Sequence, residues 1–364
     1  MSANAVLQDQ AVDHAIDLLR YDRGVVMRMI ALLNRTDSRL AAQLAAALLQ
    51  IGRDSFTVER LEALLGSVIA LNVQAYEAVY GALQIELQGE AAIEARYQAA
   101  SMRGAVPAPV QLRFPIAGIS AEQVYAAALS RPFQGRLLSG WMENLAESRM
   151  TMIRNAIRMG YVEGRTTSQI IQGIRGTKAL NYADGLLARP RRELAAVVQT
   201  ALSHTAQTAR STFTDANADL IKATRWVSTL DSRTSPMCRV RDGKQYTADA
   251  KHRPIGHAIP WLGGPGRLHF NCRSVSIPVL KSWRELGIDI DDASPATRAS
   301  MDGQLPADTT FAQWFARQSA ARQDEIVGTE RGRLFRSGKV SFERFYDRKG
   351  QWLTLAQLLA KVGG

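Results

Sequence analysis

The sequence predicts an α+β protein in which a small β-rich module follows a mostly helical first two-thirds. Three observations carry that expectation. Apolar residues recur at helical spacing early in the chain, as in Val26, Met29, Ile30 and Leu33, which places them on one face of a 3.6-residue repeat. Near Thr224 the pattern changes to the alternating, β-prone Thr-Arg-Trp-Val-Ser-Thr-Leu that ends at Leu230, the two-residue period of a strand. Both cysteines, Cys238 and Cys272, and three of the five histidines, His252, His257 and His269, fall within the 35 residues 238–272.

Residues 8–104 read as helices. Ile16 and Leu19 begin the apolar series, residues 40–49 are rich in Leu and Ala, and a third run from Leu61 to Ala100 is expected to break near Gly81 or Gly89. Residues 105–115 contain Pro107, Pro109 and Pro115 and are expected to form a non-helical strap, since proline biases the residue before it to extended geometry. Helix resumes at Ser120, which has the capping-box spacing to Gln123. Pro132 then suits the first turn of a helix that stops at Gly160. A short capped helix is expected over 167–174, and a long one from Pro190 to about Asn217.

Within the module, Asp242-Gly243 between two short runs predicts a hairpin. Residues 247–267 read as a Gly/Pro-rich loop and 273–280 as a strand. The tail reads as helices at 311–318 and 320–334, a stop at Gly338, a strand-like 340–346 and a final amphipathic 353–362. The expected division is a helical region 1–115, a second helical region 116–222, the β-rich module 223–282 and a helical tail 283–364 with a short strand.

A chain of 364 residues is long enough for two or three packed units. Its 46% hydrophobic and 22% charged content describes an ordinary globular protein, and no stretch approaches the roughly 20 apolar residues of a membrane helix. Asp9, Asp13 and Asp17 are wrong for a secretory signal, and two cysteines fit a reducing compartment better than a disulfide scaffold. The expectation is a cytoplasmic product with no membrane partner. Net charge is +11, and residues 223–282 hold 10 Lys+Arg against 3 Asp+Glu. A patch of that sign suits phosphates or an acidic protein surface, through Arg239, Arg241, Lys244, Arg267 and Arg273.

Four chemistries fit the Cys/His cluster. A zinc site would draw on Cys238, His257, His269 and Cys272, with His252 as a substitute, although only His269 and Cys272 form the close pair usual in such sites. A cysteine nucleophile would need a histidine base and a thiolate steadied by arginines such as Arg239, Arg241 and Arg273. An HNH-like, metal-dependent DNA endonuclease is suggested in outline by His257-Ala-Ile-Pro-Trp-Leu-Gly-Gly followed by His269-Phe-Asn-Cys, but the opening acidic-His pair and a closing His are missing. The fourth is a fold lock with no cofactor and no turnover. In it His269, Asn271 and Arg273 satisfy loop backbone groups and Asp231 caps a turn.

The order Trp226, Asp231-Ser-Arg233-Thr234, Cys238, Asp242-Gly243, His269-Phe-Asn271-Cys272-Arg273 resembles the signature of the phage Mu F-like minor head proteins, also called phage head morphogenesis proteins. The resemblance covers about 223–280, with a weaker likeness over 140–222. It implies a non-enzymatic virion protein at the capsid interior or portal vertex, assembled in the host cytoplasm. Its implied partners are the portal, the major capsid or scaffold proteins and phage DNA, in head assembly and DNA packaging or delivery. Members often carry Cys-x-x-Cys early and Cys-x-Cys late. Here Arg241 and Ser274 stand at the second positions, so a complete zinc set would need His252 or His257.

Overall fold

The structure, a computed structural model, describes every residue except 1, 51–56, 181, 290–296, 307 and 363–364. Eight helices come first: α1 (Ala3–Leu49), α2 (Val58–Leu64), α3 (Gly66–Ala105), α4 (Ala108–Arg113), α5 (Ala121–Ser130), α6 (Leu138–Val162), α7 (Thr167–Arg175) and α8 (Ala188–Ala216). The module follows as β1 (Ile221–Val227), α9 (Pro236–Arg239), β2 (Gln245–Thr247), β3 (Pro254–Ile255) and β4 (Val275–Leu280). The tail holds β5 (Thr297–Ser300), β6 (Gly303–Pro306), α10 (Phe311–Ala316), α11 (Ala320–Val327), α12 (Thr329–Arg336) and α13 (Leu355–Val362). The fold is therefore α+β. Among the described residues no helix is long and apolar enough to cross a membrane.

Several local expectations are corrected. Helix α3 runs through Gly81 and Gly89 without a break, because an isolated glycine costs about 1 kcal/mol, too little to interrupt a well-packed helix. The proline stretch contains α4, with Pro107 as its N-cap and Pro109 in its first turn. The amides proline lacks there have no helical partner in any case. Pro132 precedes a turn closed by a Phe133–Arg136 bridge, and α6 starts only at Leu138.

Gly160 lies inside α6, where it admits a neighbour. A Cβ at that position would sit 2.5 Å from Ile170 Cγ1 on α7, so the glycine marks a helix contact and not a helix end. The run 320–334 is divided by Gly328, whose φ of +86° ends α11 and starts α12. Residues 340–346 form a 3-10 turn over Phe342–Phe345 in place of a strand. The hairpin β5–β6 falls where no strand is expected. The short helix 167–174 is found as α7, with its Thr166/Gln169 capping box complete.

The chain packs as two compact units. The first comprises residues 1–19, 91–127 and 203–364, the second 20–90 and 128–202. These limits fall inside α1, α3, α5 and α8, so packing partners and not breaks in composition set them. In the second unit Leu40, Leu44 and Leu48 of α1, one helical turn apart, pack with Leu61, Leu65, Val68, Ile153, Ile157 and Ile170. Asp37 is buried there with Arg149 and Arg191 paired to it.

In the first unit the sheet has the order β3-β2-β1-β4, antiparallel throughout. Val227, Val275 and Ile277 pack against Ala11, Val12 and Ala15 of α1. Trp226 and Tyr246 instead join Trp261, Leu268 and both cysteines in a separate core, as strand alternation requires. An aromatic cluster of Phe311, Trp314, Phe315, Phe342, Phe345 and Tyr346 holds the tail.

Candidate functional site

Strand β1 delivers Trp226, fully buried, and then Ser228. The Ser228 hydroxyl accepts from Trp226 Nε1 at 3.1 Å, donates to the Cys238 carbonyl at 2.9 Å and lies 3.2 Å from Ser274 Oγ. The next turn is built on Asp231. Its Oδ1 accepts from the Arg233 amide at 3.1 Å and from the Thr234 hydroxyl at 3.0 Å. Arg273 grips both oxygens, Nη1 to Oδ2 at 2.5 Å and Nη2 to Oδ1 at 2.8 Å, a bidentate fork. Burial would raise the Asp231 carboxyl, but the Arg273 hydrogen bonds and charge outweigh it and hold the group below its usual range. Arg233 is exposed.

Ser235 caps α9 by accepting from the Cys238 amide at 3.3 Å. That cap presents Cys238 to the loop His269–Cys272, which closes with the Cys272 amide donating to the His269 carbonyl at 3.2 Å. Asn271 supplies the left-handed turn residue, at φ +58°, a conformation Asn tolerates. The result brings Cys238 Sγ to 3.6 Å from Cys272 Sγ and 3.3 Å from His269 Nε2. Both cysteines are free and buried. The Cys238 hydrogen bond draws the Cys272 thiol well below its ordinary range, while the same contact, with burial, pushes Cys238 up. His269 is raised chiefly by its hydrogen bond to Cys272.

Three of the four sequence-selected metal candidates thus converge, and His257 does not join them. Among the described residues Cys238, His269 and Cys272 form the group able to hold a metal ion. His257 donates from Nε2 to the Gln245 carbonyl at 2.9 Å and accepts at Nδ1 from the Ile259 amide at 3.2 Å. With both nitrogens committed it has no lone pair to offer. His252 stacks on Trp261, ring centroids 4.3 Å apart.

Of the five candidate nucleic-acid or acidic-partner contacts, Arg239 and Arg241 are buried and Lys244, Arg267 and Arg273 are half-buried. Arg241 is fully buried; it donates from Nε to the Pro260 carbonyl at 3.0 Å and from Nη1 to the Met237 carbonyl at 2.6 Å. Arg239, also buried, donates to the carbonyls of Ile326 and Ser232 at 2.8 and 3.1 Å. Arg267 bonds the Gly263 carbonyl at 2.6 Å, and Arg273 is spent on Asp231. Lys244, half-buried, lines a cavity of about 360 Å³ with Asp242, His257, Phe342 and Tyr346.

Asp242-Gly243 does make a turn, but between α9 and β2. Gly243 has φ +77°, while Asp242 accepts from the Ser228 amide and from the Phe311 amide of α10, each at 2.7 Å. The expected first hairpin strand is helical because Ser235 and Pro236 set a helix start just before Cys238. Ser228 and Ser235 were not singled out from sequence. The cap signal Ser-Pro was present, but it gains meaning only once His269 lies 2.8 Å from the Ser235 hydroxyl.

This arrangement coincides with a family comparison. Residues 151–277 match the family model described as Phage Mu protein F like protein. Over those residues the chain is similar to that family. Every residue of the Trp226-to-Arg273 series lies inside that match. The match extends further toward the N-terminus than the module, taking in the second half of α6 together with α7 and α8. No curated protein and no solved structure matches the chain.

Proposed function

We propose that the chain is a minor head protein of a tailed bacteriophage, associated with the portal and procapsid and acting in head assembly and in DNA packaging or delivery, without turnover of its own. The observation that carries this reading is the Mu F-like match over 151–277, joined to a segment in which most of the charged motif residues are engaged within the protein. Asp231, Asp242 and Arg273 all bond protein groups. Motif residues engaged in this way hold a module in one shape and leave its exposed faces for partners.

Purified heads test the proposal. Tagged protein should co-sediment with portal-containing procapsids in few copies, and deletion of the coding sequence should lower particle yield or infectivity. Heads that lack the protein, together with unchanged infectivity after deletion, would overturn it. The endonuclease reading predicts that purified protein with divalent metal nicks plasmid DNA and that His269→Ala abolishes nicking. The non-enzymatic reading predicts intact plasmid with magnesium, manganese or zinc.

A further inference from the structure

We infer that Cys238, His269 and Cys272 form a three-ligand site for a soft divalent d10 cation, zinc in particular, with the fourth position open on the side of Ser235. The argument is geometric. Zinc bound to sulfur at about 2.3 Å and to imidazole nitrogen at about 2.0–2.1 Å in a tetrahedron separates two sulfurs by ~3.8 Å and sulfur from nitrogen by ~3.6 Å. The chain holds Sγ to Sγ at 3.6 Å and Sγ to Nε2 at 3.3 Å, and all three ligand atoms lie within 4.8 Å of one another. A disulfide would need the sulfurs near 2.05 Å, so the pair is spaced for a shared ligand.

The histidine is also prepared for the role. A carbonyl oxygen only accepts, so His269 Nδ1 must donate its proton to the Phe270 carbonyl, 2.8 Å away. That bond leaves the Nε2 lone pair facing the cysteines, the arrangement in which an outer carbonyl fixes the tautomer of a metal-binding histidine. Burial of both thiols excludes competing reagents. The Ser235 hydroxyl, 2.8 Å from Nε2 on the half-buried edge, stands where a water or the hydroxyl itself would complete four-coordination. Binding replaces the two thiol protons with one dication, so two thiolates and the metal together are neutral and no charge is stranded in the core. Arg241 and Ser274 are bound elsewhere, so the ligand set rests on Cys238, His269 and Cys272.

The site would tie α9 to the loop before β4, and its existence does not depend on the head-protein reading. The test uses the full chain, purified reduced and without chelator, then exposed to zinc or cobalt. The expected results are one zinc per chain by elemental analysis and a thiolate-to-cobalt charge-transfer band with Co(II). Cys272→Ser and His269→Gln should lower zinc occupancy ~tenfold or more, while His257→Gln and His252→Gln should keep it. Because the ligand variants could fail to fold, removal of metal from the wild-type chain is a second measure. Chelation should lower Tm, and zinc but not magnesium should restore it. Folded, reduced wild-type protein that binds no zinc and gives no cobalt band overturns the inference, as does full occupancy in His269→Gln.

Discussion

Arg241 shows how a residue's chemistry depends on where its side chain ends. In sequence it is one of several cations in a basic segment. In the fold its guanidinium is inside, bonded to two carbonyls and 5.8 Å from the Trp226 ring. Arg241→Met should therefore cost about 1–3 kcal/mol of stability, since it leaves two part-buried carbonyls without donors, as read by urea denaturation. Asp231→Ala strands Arg273 and should cost about 1–3 kcal/mol, whereas Arg233→Ala, at an exposed side chain, should stay within about 0.5 kcal/mol. Equal losses for Asp231→Ala and Arg233→Ala would refute the pairing described here.

At the scale of elements, two helical glycines make opposite predictions. Gly160 of α6 faces Ile170, with 2.5 Å available to a Cβ, while Gly81 of α3 faces nothing within 4 Å. Gly160→Ala should destabilise by about 1–3 kcal/mol through overpacking, and Gly81→Ala should stabilise by about 0.5–1 kcal/mol by restricting the unfolded chain and favouring helix. Thermal melts of the two variants decide it; a stabilising Gly160→Ala would mean that α6 and α7 do not approach as described. From sequence both positions read alike, as breaks in a helical pattern. Periodicity located the helices well, because it follows from one face being apolar, and it located their ends poorly, because an end depends on what the terminal backbone groups meet.

For the molecule as a whole, a buried polar network joins three helices of the first unit. Glu94 of α3 accepts from Arg210 of α8 at 3.2 Å and Gln98 at 2.9 Å, and its Oε1 lies 2.6 Å from His14 Nε2 of α1. Burial alone would raise the Glu94 carboxyl, but Arg210 and the His14 hydrogen bond prevail and lower it. A carboxyl depressed in the folded state contributes stability that is present above the unfolded Glu value of about 4.3 and lost as pH falls below it. Urea midpoints should fall below about pH 4.3, and Glu94→Gln, less stable at neutral pH, should show a shallower decline. An unchanged pH profile in Glu94→Gln would remove the network from the account.

The sequence by itself determined the α+β class, the helical first two-thirds, and the Trp226-to-Arg273 series that lies inside the Mu F-like match, since these rest on local periodicity and on residue order. Only the tertiary structure decided that Cys238 and Cys272, 34 positions apart, come within 3.6 Å with His269 beside them, that His257 is committed elsewhere, and that Arg239 and Arg241 of a basic segment turn inward. The physical reason is range. A backbone pattern is written in neighbouring residues, whereas a ligand set, a buried ion pair or a glycine contact exists only where distant segments pack together.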